Sequence, residues 1–69
     1  PLEEDVENEL MTLFLLGETN RRLGNLKEAI QWFRMAVGNP EIKKFKQLEA
    51  STREQWGIAG DEFKKQKKE

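Results

Sequence analysis

The sequence has no cysteine and no histidine. Their absence removes thiolate nucleophiles, Ser-His and Cys-His pairs, disulfides and nearly every zinc site. Tyrosine is missing too, so acid–base chemistry has only carboxylates and lysines to draw on. No apolar run is longer than Leu13–Leu16, far short of the roughly 20 residues a membrane span needs. The first residues are acidic (Glu3, Glu4, Asp5, Glu7, Glu9), where a secretory signal would be basic. Neither sign of charge dominates: 12 Lys and Arg against 13 Asp and Glu leave a net charge of −1 on 69 residues. Hydrophobic residues make up only 36% of the chain. A single core in so short a chain rarely supplies more than about 3–5 kcal/mol, so help from a partner chain, a second copy or further polypeptide is expected. The chain begins at Pro1 and reads as a piece of a longer protein. Without cysteines the redox compartment stays open, and cytoplasm is the default expectation.

What is present is helical periodicity. Val6, Leu10, Leu13, Leu16 or Gly17, and Leu23 recur at spacings of three and four, with the polar Asn20 as an exception. The acidic cluster falls in the first turns of this helix, where negative charge meets the positive end of the helix dipole. Gly24 supplies a left-handed C-cap. Asn25 followed three residues later by Glu28 has the spacing of a capping box for a second helix. That helix carries Leu26, Ala29, Ile30, Phe33 and Val37, widened by Trp32 and Ala36, and Gly38-Asn39-Pro40 closes it with Gly38 as C-cap. A connection this short lays the two helices antiparallel. Ile42, Phe45, Leu48, Thr52, Trp56, Ala59 and Phe63 then mark one face of a third helix, with Asn39 as N-cap and Pro40 at its first position. Gly57 and Gly60 weaken its end by about 1 kcal/mol each relative to Ala. The expected elements are helices over 4–23, 26–37 and 40–64 and a frayed lysine-rich tail over 65–69, forming one domain. The fold class is all-α.

The first two helices resemble a tetratricopeptide (TPR) repeat. Leu13-x2-Leu16-Gly17-x2-Asn20, then Ala29-x3-Phe33, then Pro40, follow the pattern Trp-x2-Leu-Gly-x2-Tyr, Ala-x3-Phe, Pro. Leu13 stands where Trp is usual and Asn20 where Tyr is usual, and Pro40 arrives one residue early. The resemblance implies an antiparallel hairpin in which Gly17 and Ala29 allow close approach. Leu13, Leu16 and Phe33 fill the surrounding space and Ala36 continues the contact. Residues 41–69 lack the small-residue and turn positions of a second repeat and look like the helix that caps such arrays. Gly17-Glu18-Thr19-Asn20-Arg21-Arg22-Leu23-Gly24-Asn25, Ala29-x2-Trp32-Phe33 and Arg53-Glu54-Gln55-Trp56 also resemble the C-terminal, TPR-like half of a family of uncharacterised bacterial proteins. That family carries a Cys-rich, metal-binding segment upstream. The resemblance implies a bacterial protein of unassigned activity.

Function is read by elimination. The carboxylates fall on exposed helix positions, no phosphate-binding glycine motif occurs, and no metal, cofactor or small-molecule substrate is expected. The chain reads as a non-enzymatic protein-interaction or assembly module. On a helical wheel Met11, Phe14 and Leu15 lie away from the Leu13–Leu16 packing edge, and Glu18, Arg21 and Arg22 continue that outer side. These six are the candidate partner-binding residues, for self-association or for another chain. TPR domains that clamp a chaperone's C-terminal carboxylate use a Lys and an Asn, which by resemblance would fall at Phe14 and Glu18; neither can do so. The alternative is a three-helix domain that binds nucleic acid through the basic middle, Arg21, Arg22, Lys27, Arg34, Lys43, Lys44 and Lys46. A pI near 5.6 disfavours it.

Overall fold

In the computed structural model, residues 2–67 are described, and they form three α-helices with one 3-10 turn. Helix α1 spans Glu3–Arg22, α2 spans Leu26–Gly38, a 3-10 turn covers Pro40–Lys44, and α3 spans Lys46–Lys67. The described residues contain no strand. α2 lies between α1 and α3 and packs antiparallel against both, while α1 and α3 touch each other far less. The Cα atoms span 45 × 17 × 15 Å, so the molecule is an elongated stack.

The first turn is a Schellman motif. Gly24 has a φ of 85°, its amide donates to the Arg21 carbonyl at 3.0 Å, and the Asn25 amide donates to the Asn20 carbonyl at 2.8 Å. These two bonds satisfy carbonyls that the helix end leaves open. The capping box expected at Asn25 and Glu28 does not form: no side chain caps α2. The Asn25 side chain turns back instead, its Nδ2 donating to Asn20 Oδ1 at 3.3 Å, while Asn20 Nδ2 donates to the Leu16 carbonyl at 2.8 Å. Asn20, which breaks the apolar period, thus ties the end of α1 to the start of α2.

The second connection also departs from expectation. Gly38 is the last residue of α2 and has no left-handed φ; Asn39 is the cap, with a ψ of 117°. Pro40 explains this, because a proline forces the residue before it into extended backbone. Asn39 Oδ1 accepts from the Glu41 amide at 2.9 Å. The chain then closes a 3-10 turn rather than the first turns of α3, with the Ile42 amide donating to the Asn39 carbonyl at 3.0 Å. α3 therefore starts at Lys46, six residues later than expected, and continues through Lys67 where a frayed tail was expected from residue 65. Lysines suit the negative end of a helix, which favours this continuation. Lys68 and Glu69 lie outside the described residues.

Two apolar clusters share one ring. Leu10, Ala36, Ile42 and Leu48 form the first, with Val6, Leu13, Phe14 and Phe45 packed on it. Ala29, Phe33 and Ala59 form the second, with Phe14, Ile30 and Trp56 around it. Phe14 belongs to both. Its ring meets that of Phe33 at a centroid distance of 6.0 Å and 53°, within the range where tilted aromatic pairs attract. The hydroxyl of Thr52, fully buried on the apolar face of α3, donates to the Leu48 carbonyl at 2.6 Å. That bond removes the cost of burying it.

The closest approach of α1 and α2 is set by Gly17, which is buried. A Cβ on Gly17 would lie 2.6 Å from Cδ1 and 2.7 Å from Cζ of Phe33, and would overlap Cε1 as well. The small residue of α1 thus receives the Phe33 ring. Ala29, its expected counterpart, packs in the cluster shared with Ala59 of α3.

Gly17 and Gly57 should respond to the same substitution with opposite signs. Phe33 is fully buried and cannot swing clear, so Gly17→Ala should lose stability toward the upper end of the overpacking range, about 3 kcal/mol. This outweighs the roughly 1 kcal/mol that alanine adds to a helix. A Cβ on Gly57 meets nothing within 4 Å, so Gly57→Ala should stabilise by about 0.5–1 kcal/mol. Urea denaturation of both variants checks the pair.

Candidate interaction surface

α1 carries apolar side chains nearly all the way round, and only some of them find a place inside. Leu10 is fully buried, and Val6, Leu13 and Phe14 are partly buried against the core. Met11, Leu15 and Leu16 remain 39%, 54% and 36% exposed. Two expectations change accordingly. Phe14, expected on the outer side, faces inward between both clusters. Leu16, expected at the packing edge, faces solvent. Both follow from helix geometry once Gly17 sits on Phe33: at 100° per residue, Leu10, Phe14 and Gly17 then share the inner face and Leu16 rotates out. Leu13, Gly17, Ala29, Phe33 and Ala36 take the inward positions assigned to them.

Between α1 and the start of α3 runs an open groove of about 620 Å³. Met11, Phe14, Phe45 and Leu48 give it an apolar floor, and Glu7, Lys44 and Lys46 stand along it. Lys44 is held above its ordinary pKa, first by its hydrogen bond to Glu41 and then by the charge of that carboxylate; the two lie 2.8 Å apart. A second groove, of about 540 Å³, lies on α2 and is lined by Lys27, Glu28, Gln31, Trp32 and Met35. Met35 is 55% exposed. The sequence signal for it was Met35 standing off the stripe that carries Phe33 and Ala36.

At the far end of α1 the charges form a small network. Glu18 Oε1 accepts from Arg21 Nε at 3.3 Å, and Glu18 Oε2 lies 3.6 Å from Arg22. Arg21 also reaches Glu62 of α3 at 3.8 Å. Glu18 is the least exposed of the group and Arg22 the most, at 16% and 73% of their side chains. The six candidate partner residues therefore separate: Met11, Leu15 and Arg22 are surface residues, Glu18 and Arg21 are part-buried ion-pair partners, and Phe14 belongs to the core.

Among the described residues no group of three Asp or Glu side chains is placed to hold a metal ion, and no helix is long and apolar enough to cross a membrane. Met11 and Leu15 are exposed on one side of α1, and Leu16 lies about 100° or more further round the helix.

Neighbouring residues on α1 should differ sharply in stability. Phe14→Ala should cost about 3 kcal/mol, because it empties space in both clusters. Leu15→Ala should stay within about 0.5 kcal/mol of the parent in dilute solution, where the chain is a monomer. Thermal melts followed by circular dichroism measure both.

Residues 2–59 match the model of a family described as an uncharacterized protein conserved in bacteria (DUF2225). No curated protein and no solved structure matches the chain.

Proposed function

We propose that the chain, which belongs to this family of uncharacterised bacterial proteins, is a non-enzymatic, cytoplasmic protein-interaction or assembly module. The observation that carries the reading is the exposed apolar pair Met11 and Leu15 of α1, with Met11 lining a groove floored by Phe14, Phe45 and Leu48. Solvating large apolar side chains on a chain with so small a core is costly, and covering them with another protein surface removes that cost. A TPR-like hairpin with a following helix is the architecture we assign to it, supported by the antiparallel packing of α1 on α2 and by the small residue at their contact. The same reading makes the chain a protein binder rather than a nucleic-acid binder. Of the seven cations in the basic middle, Arg21 and Lys44 are closely matched with carboxylates, which leaves less charge for phosphates.

A photo-cross-linking amino acid placed at Leu15 and, as a control, at exposed Arg34 on α2 tests the proposal in living bacteria. Leu15 should yield a discrete protein adduct and Arg34 should not. Irradiation that gives no protein adduct at Leu15 overturns the reading.

A further inference from the structure

Six residues form a line along α1: Glu4, Asn8, Met11, Leu15, Glu18 and Arg22. Their spacings are 4, 3, 4, 3 and 4, the alternation that keeps a seam on one side of a helix facing a second helix. At 100° per residue the six fall within about 80° of one another, centred far round the helix from Gly17 and its contact with Phe33 of α2, and all but Glu18 are exposed. The line is also symmetric about Leu13, and the symmetry is chemical as well as numerical.

We infer that this line is the contact between two copies of the chain, paired antiparallel through α1, which rests on the interaction reading above and names its partner. Turned end for end, a second α1 sets Glu4 opposite the partner's Arg22, Asn8 opposite the partner's Glu18, and Met11 opposite the partner's Leu15. Each half of the two-fold contact then contains an ion pair, an amide facing a carboxylate and an apolar pair. A C2 interface requires this kind of self-complementary patch. The parallel alternative sets Glu4 on Glu4, Glu18 on Glu18 and Arg22 on Arg22, so like charges exclude it.

The rest of the structure fits the same arrangement. Met11 belongs both to the line and to the groove between α1 and α3. The partner's Leu15, set against Met11, therefore extends over the groove wall and shields an apolar floor that otherwise faces water. Arg22 is held only loosely by its own chain, 3.6 Å from Glu18 and mostly exposed, so it is available to the partner's Glu4. Glu18 is held by Arg21, whose Nε lies 3.3 Å from Glu18 Oε1, so its other carboxylate oxygen meets the partner's Asn8 with little further ordering once Arg22 turns to the partner's Glu4.

Sedimentation equilibrium of four chains decides the matter: the parent, Glu4→Arg, Arg22→Glu and the double variant. The parent should be a reversible dimer between low micromolar and near-millimolar concentration. Each single reversal sets two like charges together at both ends of the contact and should weaken association by about tenfold or more. The double variant restores both pairs in swapped order and should recover the parent's association. Both positions are exposed, and circular dichroism should show unchanged helicity throughout. A parent that stays monomeric over this range, or a double variant as weak as the single ones, overturns the inference. The cross-linking result separates this from the broader reading. A monomeric parent whose Leu15 position cross-links to a different protein sinks self-pairing and leaves the interaction module standing, whereas a monomer with no adduct sinks both.

Discussion

Everything in this fold depends on how close α1 comes to α2, and that distance is set by the Phe33 ring lying where Gly17 has no side chain. With the ring seated there, Phe14 can meet it at 6.0 Å and reach into both apolar clusters. One aromatic pair thus joins the end of the molecule built from Leu10, Ala36, Ile42 and Leu48 to the end built from Ala29 and Ala59. A chain with so few large buried side chains cannot spread its core thinly. It concentrates dispersion contacts around two rings, and small residues at Gly17, Ala29, Ala36 and Ala59 let the backbones close on them.

The connections are held by polar side chains with local partners. Asn20 and Asn25 pair across the first turn, and Asn39 accepts from Glu41 across the second. These bonds occur where helices leave backbone groups open, and asparagine is well suited to them because its short amide folds back on nearby backbone. Asn20 is the instructive case. As a gap in an apolar stripe it looks like a defect, yet its amide spans from the Leu16 carbonyl to Asn25 and holds the hairpin's turn. The polar residue sits at the end of α1, where the chain turns into α2.

How much of this was legible depends on how one-sided each helix is. For α2 and α3 most apolar residues follow one stripe, and Leu26, Ala29, Phe33 and Ala36, then Leu48, Thr52 and Ala59, are buried as their spacing implies, as is Ile42 of the 3-10 turn. For α1 the apolar residues Leu10, Met11, Leu13, Phe14, Leu15 and Leu16 cover most of the wheel, so periodicity alone left its rotation open. The reading that put Phe14 outside and Leu16 inside was off by part of a turn, and with it part of the candidate surface. Gly57 and Gly60 show the same limit in another form. Local propensity argues for a weak helix end, but Ala59 and Trp56 pack against α2 and carry α3 across both glycines.

By itself the sequence determined that this chain is all-α, that its turns lie at Gly24 and Pro40, and that it lacks histidine and thiol chemistry, because periodicity, backbone restriction and side-chain inventory are local properties. Only the tertiary structure decided which side of α1 faces in, which residue Gly17 accommodates, and which apolar side chains are left over on the surface. Those are matters of rotation and distance between helices, and they are settled by whether a ring fits against a backbone, which no single segment of the chain contains.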